Sequence, residues 1–234
     1  MPSVRAVWLA WRWPLDDGTL WPPPRRVFVV EVDEVGDAPV VAAYLQRVLA
    51  AAGEPGVGIE VFGGALEHEL AIYHYWARDR GRLVYVRDAR PSLLLAPIYD
   101  EVDETGPGFS PDHPLLDDVE RARVLDYLRD CDALVNAGDE FDEDVLRPGA
   151  GEMIPMVFYT DGHWVWAEPT RYYLAEHHLA PHPEFLAHIR RRGYVCPPVD
   201  EVDRQRAREV LVSPVRVDNL PAAERPQERG PTDE

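Results

Sequence analysis

The chain opens with an apolar and aromatic run, VRAVWLAWRW at 4–13, interrupted only by arginines, which suits a pleated surface. A second run of the same character, VFVVEVDE at 27–34, follows the Pro-rich stretch PLDDGTLWPPPRR, so two strands joined by a long loop are predicted. The period then changes. From Ala38 to Ala52, Val41, Leu45, Val48 and Leu49 recur at helical spacing, and Gly53 stands where a left-handed cap is wanted. GIEVFGG at 58–64 reads as a short strand. Residues 65–80 fit two periods: Leu66, Leu70, Tyr73 and Ala77 make a helical stripe ending at Gly81, while AIYHYWARDRGRLVYV also reads as a hairpin. The helix is preferred. RLVYVRD at 82–88 is predicted as a strand and PSLLLAPIY at 91–99 as another.

YDEVDETGPGFSPD at 99–112 reads as an acidic loop carrying Gly and Pro, and it marks an internal boundary. Pro114 then opens a predicted helix whose apolar stripe is Leu115, Val119, Ala122, Leu125 and Leu128, ending near Cys131. A second acidic loop, NAGDEFDEDVLRPGAGE, leads into MIPMVFYTDGHWVWAEPTRYY at 153–173. Asp161-Gly162 is a hairpin signal, because a type I′ turn needs positive φ at both central residues. Met156, Phe158, Trp164 and Trp166 are assigned to one face, burying their rings against the helix that carries Tyr172 and Tyr173. Asp161, Gly162, Trp164, Trp166, Tyr172 and Tyr173 are thus read as structural hairpin residues. Helices opening at Pro169 and Pro183 and a third over VDEVDRQRAREVL complete the chain, with residues 213–234 as a flexible tail. The whole predicts a single α+β domain over 1–212, with a mixed, largely antiparallel sheet and a helical C-terminal part.

Charge changes this picture more than bulk composition does. The net charge is −18, and residues 100–144 hold sixteen acidic side chains against three arginines, so that stretch alone carries −13. Such a field repels phosphate backbones and excludes nucleic acid as a partner, while it steers a basic protein in. The expected partner-binding residues are Glu101, Asp103 and Glu104 with Asp139, Glu140, Asp142, Glu143 and Asp144. No window has the length and apolarity of a membrane span, and no cleavable leader is recognisable, so a cytoplasmic protein is expected. All 24 basic residues are arginine. GC-biased codon use explains this, with escape from amine-directed modification as the sharper alternative.

Motif chemistry is sparse. Cys131 and Cys196 lie outside any C-x-x-C pattern and are expected to be reduced. His163, His177, His178, His182 and His188 crowd the C-terminal half, but Pro181 and Pro183 break the helical spacing of His178 and His182. His68-Glu69 with His74 fails the H-E-x-x-H spacing, and no lysine exists for a phosphate-binding loop. No metal, cofactor or catalytic residue is assigned.

TDGHWVW at 160–166, followed by RYYLAEH and FLAHIRRRGY, resembles a pattern in uncharacterised actinobacterial proteins, where T-D-G-x-W-x-W precedes a Tyr-Tyr helix and a His-Ile helix. The likeness spans roughly residues 124–194. Some proteins with this pattern look like immunity or accessory proteins of toxin systems; the resemblance bears on fold and lineage, and it is the concentrated acidic charge that leads to the expectation of an acidic binding module, of the immunity or accessory kind, engaging a basic partner. The alternative is a metal-assisted hydrolase using histidines and carboxylates of the C-terminal half.

Overall fold

The computed structural model describes residues 3–12, 25–64, 77–104 and 106–212. The Pro-rich stretch from 13 to 24, most of the ambiguous 65–80 segment and the tail beyond 212 lie outside the described residues. The chain is α+β. Four strands form the first sheet: β1 (Val4–Arg12), β2 (Arg25–Val32), β3 (Gly58–Gly63) and β4 (Arg82–Val86), in the order β3-β2-β1-β4. β1 is antiparallel to both its neighbours. β2 and β3 are parallel, joined through α1 (Ala38–Ala51), because a parallel pair needs a crossover and a helix is the compact one.

Both faces of this sheet are covered, which is why β2 reads as a nearly continuous apolar run. Val27 and Val29 pack with Ala6, Trp8 and Ala10 on one face, while Val30, Val32 and Val4 meet Val41 of α1 on the other. A register shift between Val4 and Ala6 lets β1 serve both clusters. α1 ends as expected: Gly53 has φ +84°, its N–H donates to the Ala50 carbonyl (3.2 Å), and the N–H of Glu54 reaches Leu49 (2.9 Å).

Between Val86 and Leu94 the chain leaves the first sheet for a second, of order β5-β10-β9-β8. This sheet comprises β5 (Leu94–Leu95), β8 (Asp132–Glu143), β9 (Glu152–Thr160) and β10 (Trp164–Ala167). A short ribbon of β6 (Glu101–Asp103) and β7 (Gly106–Gly108) projects ahead of it. Four helices accompany the sheet: α2 (Asp118–Asp130), α3 (Glu168–His177), α4 (Pro183–Arg191) and α5 (Glu201–Val212). No described helix is long and apolar enough to cross a membrane.

α2, α4 and β10 build the largest cluster, around Val124, Tyr127, Leu128, Trp164, Trp166, Phe185 and Ile189. α5 belongs to both halves of the molecule. Its Val202 enters the first sheet's core, and Ala207 and Leu211 pack with Leu134 and Val165 of the second. Arg208 pairs with Asp79 (2.7 Å) on one side of it, and Arg204 with Asp132 (2.5 Å) on the other.

Several local expectations are corrected. The 91–99 strand shrinks to Leu94–Leu95, since Pro91 and Pro97 have no N–H to give a ladder. The segment at 99–112 is not a plain loop but carries the β6–β7 ribbon, and the second acidic segment is mostly strand, running in β8 to Glu143. Its pairing with β9 skips between Asn136 and Phe141, which hides the two-residue period from sequence reading. α2 begins at Asp118 rather than near Pro114, because the Asp117 side chain accepts the N–H groups of Val119 and Glu120 (2.9 Å each). Its buried stripe is rotated accordingly: Val124, Tyr127 and Leu128 are inside, while Leu115 and Val119 are 65% and 75% exposed.

The two cysteines are also corrected. Cys131 and Cys196 form a disulfide across 65 residues, with Cα atoms 5.4 Å apart. Spacing along the chain could not reveal that the end of α2 and the segment after α4 meet.

Gly53→Ala tests the α1 terminus. A methyl group there meets no steric obstacle but must occupy positive φ, so a loss of about 1 kcal/mol is expected in urea denaturation.

Candidate functional site

The acidic residues divide into those that the fold consumes and those that it leaves outward. On and around the helices they are neutralised: Glu120 by Arg190 (2.7 Å), Asp126 by Arg129 (2.8 Å) and Asp132 by Arg204 (2.5 Å). Glu101, Glu104, Glu140 and Glu143 are exposed and Asp142 is half-buried, and among the described residues no cation pairs with any of these five. Asp103 is exposed on the same ribbon. The side chain of Asp139 lies outside what the structure describes.

Asp144 departs from its expected role, because its carboxylate is completely buried. It accepts from His177 Nε2 (2.7 Å), the Leu146 N–H (2.9 Å) and the Tyr172 hydroxyl (3.1 Å). Burial opposes its ionisation, but those donors prevail and hold the carboxyl below its ordinary range. Asp144 thus fastens the β8–β9 turn to α3.

The two outward acidic segments are brought together by an aromatic cluster. Tyr99 and Phe109, at the feet of the β6–β7 ribbon, pack on Tyr173 with ring centroids 5.9 and 4.7 Å away. Tyr173 Oη in turn accepts the N–H of Val145 (3.1 Å), just beyond β8. Asp100 anchors the ribbon further by accepting from the Ser110 N–H and from His113 Nδ1 (2.8 Å each). Tyr172 and Tyr173 therefore brace the acidic region and do not underlie the tryptophans.

The tryptophans have other partners. Trp166 sits opposite Tyr159, so Trp164, Trp166 and Tyr159 share one face, while Phe158 stands opposite Ala167 on the other. This is one residue out of step with the expected grouping. Phe185 of α4 lies 5.3 Å from Trp164 and 5.0 Å from Trp166, and Tyr127 of α2 lies 6.4 Å from Trp166.

The β9–β10 turn also differs from the expected type. Only Gly162 has positive φ (+81°), and Gly162-His163, not Asp161-Gly162, form its centre. The cause is the Asp161 side chain. Its Oδ1 accepts the N–H groups of His163 (2.8 Å) and Trp164 (2.7 Å), and its Oδ2 accepts from Tyr127 Oη (2.5 Å) and His188 Nε2 (2.7 Å).

Four donors thus occupy the four lone-pair positions of one buried carboxylate. Burial raises the proton affinity of Asp161, yet the Trp164 N–H, the Tyr127 hydroxyl, the His163 N–H and the nearby His188 together hold it below the ordinary carboxylate range. Burial, with the adjoining Asp161, pushes Tyr127 up, and burial lowers His188 despite Asp161. The neutral ring that suits Asp161 carries its proton on Nε2. Arg192 Nε, 3.0 Å from that nitrogen, then contributes charge rather than a hydrogen bond.

His163 stacks on His188 at 5.1 Å and lines a cleft of about 310 Å³ together with Asp161, Arg90, Arg192, Pro197, Pro198 and Asp203. Chemically the Asp161 centre is a joint between α2, the turn and α4, since no acceptor site remains on it for a substrate proton or a cation. His178, in a left-handed conformation (φ 62°), caps α3, and His182 precedes α4, so the two lie at the ends of successive helices. Among the described residues no group of three or more His, Cys, Asp or Glu side chains converges as a metal site would require.

No pattern in the sequence marks Tyr127 as a donor to Asp161. The available signal was His188 itself, a polar residue on the apolar face of α4 between Leu186 and Ile189. Comparisons with protein-family models, with curated proteins and with solved structures find no match.

Asp161→Ala leaves a buried hydroxyl, an imidazole and two N–H groups without their acceptor, and is expected to cost on the order of 3–5 kcal/mol in chemical denaturation. His188, lowered from about 6.5, is neutral when folded, whereas the unfolded chain takes up a proton as the pH falls through that value. Its contribution is complete above about pH 6.5 and is lost progressively as the pH falls towards the folded-state value. His188→Gln should accordingly flatten the fall in melting temperature between about pH 7 and pH 5.

Proposed function

We propose that this protein is an acidic binding module whose outward carboxylates engage a basic protein partner, in the manner of an immunity or accessory protein. The supporting observation is the division of the acidic residues. Glu120, Asp126 and Asp132, in and beside α2, are matched by arginines, whereas Glu101, Glu104, Glu140, Asp142 and Glu143 are left without cations among the described residues, on two segments rooted in the cluster of Tyr99, Phe109 and Tyr173. Phe141 and Met153, 43% and 41% exposed on paired strands of the same region, add apolar surface to the charge. Complementary charge of this kind accelerates encounter, and buried contacts govern how long a complex lasts. Asp144 supports the surface from within and makes no contact with the partner.

The test is charge reversal at Glu101, Glu104, Glu140 and Glu143 to lysine, with Glu54→Lys as an exposed control outside the region. Folding stability should change by no more than about 0.5 kcal/mol per site. A basic protein captured from the native host by the wild type at low ionic strength should associate at least about tenfold more slowly with the reversed variant, and the salt dependence of association should collapse. Capture with unaltered rate and salt dependence would overturn the reading.

A further inference from the structure

The segment between α4 and α5 runs along one side of the His163 cleft as a strap, and the disulfide holds its middle. Tyr194 fixes the near end: its hydroxyl donates to Glu120 (2.8 Å), and the Arg123 guanidinium lies 3.7 Å from its ring centroid. Hydrogen bonds from Arg190 and Tyr194 hold the Glu120 carboxyl down at about 2, so this anchor persists across ordinary pH. Arg90 fixes the far end through Asp200 (2.8 Å) and Asp203 (2.5 Å).

Between the anchors run Val195, Cys196, Pro197, Pro198 and Val199. Two of these have no N–H, and among the described residues no backbone hydrogen bond ties 196–199 to a neighbouring segment. Pro197, Pro198 and Val199 form one side of the cleft, and Gly162 and His163 form the other. The contact is close: a Cβ on Gly162 would lie 3.5 Å from Asp203 Oδ2 and 3.7 Å from a Val199 methyl.

We propose that the Cys131–Cys196 bond is a redox-responsive fastener that determines whether the strap stays seated against Gly162 and His163 as the wall of their cleft. Cys131 is buried in the largest core cluster, which stays packed around it, whereas Cys196 is only half-buried against that cluster and offers the sulfur that a reductant reaches. A dithiol reductant supplies the exchange. Its thiolate attacks Cys196 Sγ, the Cys196–Cys131 bond breaks, and Cys131 leaves as a thiolate that takes up a proton. The second thiol of the reductant, losing its proton, then displaces Cys196 as a thiolate, which is protonated in turn. Two electrons and two protons pass to the protein, and the reductant becomes a disulfide.

In an oxidising compartment the strap stays seated; in a reducing one its middle lifts away while Tyr194 and Arg90 keep both ends attached.

The experiment is thiol titration and amide hydrogen exchange on the full chain, before and after treatment with dithiothreitol. Protein purified without reductant should show no free thiol, and two after treatment. Exchange at 195–200 and at Gly162-His163 should rise by about tenfold or more on reduction, while β1, β2 and α1 stay protected. Cys196→Ser should reproduce the reduced pattern without reductant. Two free thiols in protein never exposed to reductant would overturn the proposal, as would unchanged exchange at 195–200. Loss of protection throughout the molecule would also overturn it, since it would make the bond a general staple.

Discussion

One carboxylate organises the C-terminal half of the molecule. Asp161 receives a hydroxyl from α2, an imidazole N–H from α4 and two backbone N–H groups from its own turn, so elements from three parts of the chain are referred to a single point. A buried anion with fewer donors would be a heavy liability, and with four it becomes a specification of geometry. The tryptophans of β10 and Phe185 of α4 can stack in one arrangement because the turn and the two helices are already positioned. Burial of the rings supplies the driving force, and Asp161 selects which packing it stabilises.

The same device recurs at smaller scale. Asp144 with His177 joins a turn to a helix, and Asp100 with His113 joins the two ends of the β6–β7 ribbon, each through a carboxylate and an imidazole. Of the histidines that crowd into the C-terminal half, His177 and His188 are therefore taken up by separate joints rather than gathered at one point. This distribution also sorts the acidic residues. Those that fasten elements together are turned inward or paired, whereas Glu101, Glu104, Glu140 and Glu143 are left exposed on segments rooted in the cluster of Tyr99, Phe109 and Tyr173.

Element types were largely legible in the sequence, because period and capping residues act locally. The α1 stripe ending at Gly53, the Pro183 start of α4 and the paired strands around Asp161-Gly162 all follow from neighbours a few residues apart. What escaped notice depends on distant contacts. The edge strand β8 conceals its period behind a bulge, the α2 stripe is set by what α4 offers it, and the Cys131–Cys196 bond spans a separation along which no spacing rule operates. The Asp161 centre is half visible: Asp-Gly marks the turn and implies a backbone role for its aspartate, whereas the side chain is the more important part. A buried histidine on an otherwise apolar helix face was the clue to its partner.

α5 carries a consequence for how the protein reaches this state. It is the final described helix, yet Val202 completes the core of a sheet whose first strand begins at Val4, and Ala207 completes that of the other. Neither core can close until the ribosome has delivered residues near 212. The first sheet, complete at Val86, must therefore wait with the face that Val202 covers still open while the whole second sheet is being made. Aggregation during that interval, rather than instability of the finished molecule, is the hazard that this topology creates.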